Sequence, residues 1–127
     1  MAPPRVLVVD DEEDFLETLV NRLKRRGLPT QGALSGSRAL EMLEAEGFDV
    51  VVLDVRMPGM DGLDVLKEIK DRWPFVEVIL LTGHGSVESG IQGMRLGAFD
   101  YVMKPADLED LMEKIQQAHE RRSLRED

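Results

Sequence analysis

The residues of this chain that could do chemistry are a few acids, one hydroxyl and one amine, and each stands where an aliphatic run ends. Asp10 and Asp11 follow Val6-Leu7-Val8-Val9, and Asp54 follows Val50-Val51-Val52-Leu53. Thr82 follows the run from Val76 to Leu81, and Lys104 follows Tyr101-Val102-Met103. Three carboxylates forced together would take up protons unless a cation offsets their repulsion. Lys104 supplies one positive charge, and a divalent ion would bring the sum to zero. The candidate ligands are hard oxygens, with no cysteine in the chain and no histidine at a strand end. That selects Mg²⁺, leaves Mn²⁺ or Ca²⁺ as alternatives, and disfavours Zn²⁺. Mg²⁺ takes phosphate oxygens alongside one or two carboxylates. A carboxylate beside it can attack phosphorus to give an aspartyl phosphate. Thr82 and Lys104 have the donors to hold phosphoryl oxygens, and phosphoryl transfer asks little more of a protein than positioning and electrostatics.

Those ends must converge, and the elements between them say how. The runs at 6–9, 50–53 and 76–81 are nearly continuous in Val, Leu and Ile, as in strands covered on both faces of a parallel sheet. Tyr101–Met103 is a shorter strand, and Thr30–Leu34 reads as a weaker one at an edge. Helical stripes alternate with them: Leu16, Leu19, Val20 and Leu23 before Gly27; Ala39, Leu40, Leu43 and Ala45 before Gly47; Leu63, Leu66 and Ile69 before Pro74. Val87, Ile91 and Met94 form a fourth stripe, and Leu108, Leu111, Met112 and Ile115 a fifth. Strand–helix alternation of this kind predicts right-handed crossovers and one doubly wound, five-stranded α/β sandwich. Ligands of such sheets bind outside the carboxyl ends of the strands.

At 127 residues with 43% apolar content, the chain suffices for one domain with its own core. Its 16 basic and 25 acidic residues leave a net charge of −9, which argues against contact with nucleic acid by this domain. No apolar run approaches the roughly 18 residues of a membrane span. The absence of cysteine excludes disulfides and thiolate sites and gives no sign of an oxidising compartment. A cytoplasmic domain is expected.

Taken together, Asp10-Asp11, the stretch Val-Val-Leu-Asp54-Val-Arg-Met-Pro-Gly-Met-Asp-Gly, Leu-Thr82-Gly and Tyr101-Val-Met-Lys104-Pro resemble the response-regulator receiver domains of two-component signalling. The stretch from Thr82 to Tyr101 is most similar to receivers of nitrogen-regulation-type activators, except that Gly90 and Gly93 stand where alanine is expected. The resemblance implies a single flavodoxin-like (βα)5 domain over residues 1–127, its core at about 5–120 and a polar tail at 121–127, with strand order 2-1-3-4-5. It implies that Asp54 is the phosphoacceptor. Asp11, Asp54 and the backbone carbonyl of Arg56 would hold the metal, and Asp10 would act largely through water. Thr82 and Lys104 would contact the phosphoryl group, Thr82 and Tyr101 would form the switch, and Lys104–Pro105 would be a cis peptide. A histidine kinase or phosphotransfer protein would be the donor partner. A phosphorylation-dependent homodimer would use the surface of the fourth helix, fifth strand and fifth helix, where Met94, Arg95, Asp100, Glu113 and Lys114 lie. Such a domain is a signalling phosphoacceptor that assists its own phosphorylation and dephosphorylation, not an enzyme. It stands alone or is a piece of a longer regulator.

Rival readings fare worse. An aspartyl phosphatase would need an acid two residues after its nucleophile, where Arg56 stands. A nucleotide- or flavin-binding module would need a phosphate cradle after the first strand, where the chain is acidic. A receiver-like module that is never phosphorylated is disfavoured by the filled site positions. Glu12, Glu13 and Asp14 read as acids favouring the start of the first helix. His84 should sit at the rim of the site, and His119, among Glu120, Arg121 and Arg122, should be solvated. Gly90 and Gly93 predict a marginal helix over 86–96 that alanines would stiffen, since each glycine weakens a helix by roughly 1 kcal/mol.

Overall fold

In the computed structural model, which describes residues 2–56, 61–83 and 87–126, strands and helices alternate throughout. They are β1 (Val6–Val9), α1 (Glu13–Arg25), β2 (Thr30–Ala33), α2 (Gly36–Ala45), β3 (Val50–Asp54), α3 (Gly62–Arg72), β4 (Glu77–Thr82), α4 (Val87–Arg95), β5 (Asp100–Met103) and α5 (Leu108–Glu126). The five strands form one parallel sheet in the order β2-β1-β3-β4-β5. His84 and the segment 57–60 lie outside the described residues.

The sheet is buried on both faces, which is why its strands are written in unbroken aliphatic runs. Leu7, Val9, Val51, Leu53, Val78 and Leu80 face one layer, which also holds Ala39, Leu43, Leu66 and Ile69. The intervening Val6, Val8, Val50, Val52, Ile79 and Leu81 face the other, with Leu16, Leu23, Leu111 and Ile115. Ser35 caps α2 by accepting from the Arg38 N–H, and Asp61 caps α3 by accepting from the Leu63 N–H. Gly27 and Gly97, at φ of 87° and 104°, take the left-handed turn that ends α1 and α4.

The strands do not stop where their apolar side chains stop. Asp54 is the last residue of β3, paired with Leu81, and Thr82 is the last of β4, paired with Met103. The ladder continues through the Val55 N–H to Leu81 O (3.0 Å) and the Lys104 N–H to Thr82 O (2.7 Å). The backbone thus fixes the functional positions as firmly as it fixes the core.

Three expectations need correction. On α4, Ile91 and Met94 point outward, 48% and 42% exposed, while Gly90 and Gly93 are buried. A Cβ at Gly93 would fall 2.0 Å from Leu80 Cδ1, so the helix approaches β4 on its glycine side. On α5, His119 is only 7% exposed, and neither ring nitrogen has a hydrogen-bond partner among the described residues. The positions expected as a polar tail instead continue α5 to Glu126. They are held by fully buried Glu77, whose carboxylate meets Lys70 Nζ at 3.0 Å, Arg121 Nε at 2.9 Å and Arg125 at 3.3 Å. Arg122 pairs with Asp49 at 3.2 Å. Among the described residues, no helix is long and apolar enough to cross a membrane.

Candidate functional site

Asp10 is fully buried just past β1, and its Oδ1 accepts the Glu12 N–H at 2.9 Å. Its Oδ2 lies 2.7 Å from Lys104 Nζ but accepts no well-directed hydrogen bond, so that contact is ionic. Asp54, also buried, uses Oδ1 to accept the Arg56 N–H at 3.2 Å, which leaves Oδ2 facing Lys104 Nζ at 3.6 Å. Lys104 Nζ completes its surroundings with Glu12 Oε1 at 3.0 Å and the face of Phe15, 4.4 Å from the ring centroid. Lys104–Pro105 is cis.

The electrostatics follow from one cation among several acids. Burial pushes the Asp54 carboxyl above its ordinary range, and the neighbouring Asp10 charge adds to the effect; Lys104 and the Arg56 N–H only partly oppose them. Burial is also the largest single influence on Lys104 and acts downward, but its pairing with Asp10 and Glu12 outweighs it and raises the amine to about 12. The cation is therefore permanent, while Asp54 is held in a state that would gain from more positive charge.

A divalent ion suits this pocket. Oxygens of Asp10, Glu12 and Asp54 lie within 4.8 Å of one another, and among the described residues the buried Asp10 Oδ2 has only its ionic contact with Lys104. A hard, compact cation would satisfy that oxygen and offset the repulsion. Asp11 is exposed and lies outside this group of three. Thr82 is buried at the next strand end, where its Oγ1 donates to Met103 Sδ at 3.2 Å, a weak acceptor that is easily given up. Tyr101 is half-buried, its ring laid against α4 so that a Cβ at Gly90 would be 3.2 Å from it.

Residues 6–116 match the family model described as the response regulator receiver domain. The chain belongs to that family. Receiver domains are the phosphoacceptor modules of two-component response regulators. Regulatory protein AtoC of Escherichia coli K12 is 38% identical over 97% of this chain and 27% of its own length. The transcriptional regulator NtrC of the same organism is 38% identical over 89% of this chain and 24% of its own length. The chain thus spans about a quarter of these relatives. Among solved structures, a Clostridium thermocellum receiver domain superposes with a TM-score of 0.91 at 36% identity, covering 95% of this chain and 98% of its own. The receiver of NtrX from Brucella abortus gives 0.87 at 33%, covering 91% and 98%. The likeness to nitrogen-regulation-type receivers seen in the sequence is therefore upheld.

Asp10, Asp54, Thr82 and Lys104 are brought to one rim of the receiver, as their strand ends required. Glu12 and Phe15 enter the site without having been singled out for it. Glu12 read as a helix-start acid, yet its carboxylate goes to Lys104, 92 positions away. Phe15, in the first turn of α1, underlies the same amine. Together with Gly83 and Pro105 they line an open cleft beside Lys104.

Proposed function

We propose that this receiver takes a phosphoryl group onto Asp54 from the phosphohistidine of a histidine kinase or phosphotransfer protein, in a Mg²⁺-dependent reaction. The observation that carries the reading is the half-engaged Asp54 carboxylate: Oδ1 is tied to the Arg56 N–H, while Oδ2 is aimed at a permanent cation. Oδ2 bonds to phosphorus as the phosphorus–nitrogen bond breaks, and the imidazole leaves with the electron pair. Asp10, Asp11, Asp54 and the Arg56 carbonyl would hold the ion, with Glu12 close to them. When bound, Mg²⁺ supplies positive charge to the pocket and to the transferring oxygens. Lys104 exchanges its contacts with Asp10 and Glu12 for a phosphoryl oxygen.

Thr82 gives up Met103 Sδ and donates to another phosphoryl oxygen, and Tyr101 follows by settling deeper beside α4. The surface so altered is that of α4, β5 and α5, where Ile91, Met94, Leu96 and Met103 are exposed. Asp100 and Lys114 already pair with each other there, at 3.6 Å, so a phosphorylation-dependent dimer on this face would rest more on the apolar residues than on reciprocal ion pairs. The domain assists its own phosphorylation and dephosphorylation without turning over a separate substrate, and it works in the cytoplasm without contact to nucleic acid.

The test is intact mass after incubation with a small acyl-phosphate donor, with and without Mg²⁺. Wild-type protein gains one phosphoryl mass only with the ion, and Asp54→Asn gains none. Full labelling of the variant would move the acceptor elsewhere, with Asp10 and Asp11 the next suspects.

A further inference from the structure

The peptide that carries Asp54 is touched from behind by the first residue of α3. A Cβ built on Gly62 would lie 2.5 Å from Asp54 O and 2.6 Å from both Val55 Cα and Val55 O, where ordinary contact begins at 3.4 Å. All three are backbone atoms, so no side chain can turn aside. The Gly62 N–H also donates to Val55 O at 3.0 Å. One residue before it, the exposed Asp61 accepts the Leu63 N–H at 3.0 Å and closes the first turn of α3. Helix α3 therefore clamps the two peptides that carry the Asp54 carboxylate and lead to the Arg56 carbonyl.

We infer that Gly62 is a positioning residue for the phosphoacceptor: only a residue without a side chain lets α3 seat against the Asp54–Val55 backbone, and that seat sets where Asp54 and the Arg56 carbonyl point. This rests on the reading of Asp54 as phosphoacceptor and goes beyond it. Gly62→Ala must part the two backbones by about 0.9 Å, the gap between 2.5 and 3.4 Å. Displacements near 1 Å cost on the order of 100-fold in reactions that depend on alignment.

The experiment compares the full chain with Gly62→Ala, Asp61→Ala, Asp61→Ser and Leu66→Ala. Mg²⁺ binding is measured by calorimetry, amide shifts of 54–56 by NMR without metal, and phosphorylation by mass at saturating Mg²⁺. Gly62→Ala is expected to shift the 54–56 amides, weaken Mg²⁺ binding about tenfold and slow labelling by about tenfold or more. Leu66→Ala, which opens a cavity in the same helix away from the contact, lowers stability and leaves Mg²⁺ affinity within about twofold. If Gly62→Ala does not fold, the Asp61 pair decides: alanine loses the cap and weakens Mg²⁺ binding, while serine, which caps without charge, restores it. Unchanged shifts and affinity in a folded Gly62→Ala, or equal losses in the two Asp61 variants, would overturn the inference. Should wild type bind Mg²⁺ but take no phosphoryl group, the reading of Asp54 falls, and the shifts and titrations still judge Gly62.

Discussion

Replacing Gly93 by alanine should destabilise this domain, although the same change in an exposed helix interior would stabilise it. The favourable part is helix propensity, about 1 kcal/mol for Gly→Ala. Against it stands the new methyl, 2.0 Å from Leu80 Cδ1, so that Cδ1 must retreat by about 1.4 Å to reach the 3.4 Å of ordinary contact. Leu80 is fully buried in β4, and Leu63 Cδ2 waits 3.7 Å from the same methyl. Overpacking in a close-packed interior costs about 1–3 kcal/mol. The net loss is about 1 kcal/mol.

Gly90→Ala is the internal control. Its methyl would be 3.2–3.3 Å from three atoms of the Tyr101 ring, a shortfall of about 0.2 Å. Tyr101 is half-buried and free to lean outward, so most of the propensity gain survives. The two variants should differ by about 2 kcal/mol in opposite directions, roughly 30-fold in the folded-to-unfolded ratio. Equilibrium urea unfolding would read this as midpoints about 1 M apart at equal slopes. A Gly93→Ala midpoint at or above that of Gly90→Ala would refute the packing account and restore the view that both glycines merely soften α4.

Other consequences are simpler to state. In metal-free protein, Asp54→Asn should melt higher than wild type at neutral pH, because it removes a buried charge that Asp10 repels; the raised Asp54 makes wild type gain stability as pH falls through its folded value toward 3.8, so the difference should close in acid, and a pH-independent difference would contradict it. Glu77→Gln should cost about 2 kcal/mol, below the 3–5 typical of a broken buried pair because Arg121 and Arg125 keep access to water. Hydrogen exchange at 119–126 should then quicken while Mg²⁺ affinity stays the same; protection equal to wild type would mean that Glu77 does not hold α5. His119→Leu should stabilise by up to about 1 kcal/mol in thermal unfolding, since it removes two buried nitrogens that have no hydrogen-bond partner among the described residues, and a lower melting temperature would contradict this.

What could be read without coordinates was what one strand or helix writes locally. A polar residue closing an aliphatic run announces a strand end, and so Asp10, Asp54, Thr82 and Lys104 were legible together. Glu12 was not, because the amine it binds is 92 residues distant and its neighbours suited a helix start equally well. Ile91 and Met94 misled because an apolar stripe normally faces inward; here the inner face of α4 is glycine, a choice dictated by how close β4 and β5 lie. His119 carried a signal that its charged neighbours obscured. It stands four residues after Ile115 and eight after Leu111, on the stripe that α5 buries. Gly62 closed the motif that begins at Asp54, but nothing in composition or period told that two backbones approach closely there.

The two edges of the sheet handle charge in opposite ways, and the contrast separates function from support. At the amino edge one buried acid, Glu77, meets three cations, Lys70, Arg121 and Arg125, and α3, β4 and α5 are bound together by the surplus of donors. At the carboxyl edge the ratio is inverted. Asp10, Glu12 and Asp54 share the amine of Lys104, so that among the described residues three carboxylates here are matched by one cation. A fold selected for stability alone would not leave acids under-compensated beside a closed apolar core. The deficit is positive charge, and it lies where Asp54 points its free oxygen. Strand β4 runs from one edge to the other, with Glu77 at its first residue and Thr82 at its last. In the proposed phosphotransfer, drawing Thr82 toward a phosphoryl group would pull on a strand whose far end is held by Glu77, and the movement would be taken up sideways, by α4 and β5.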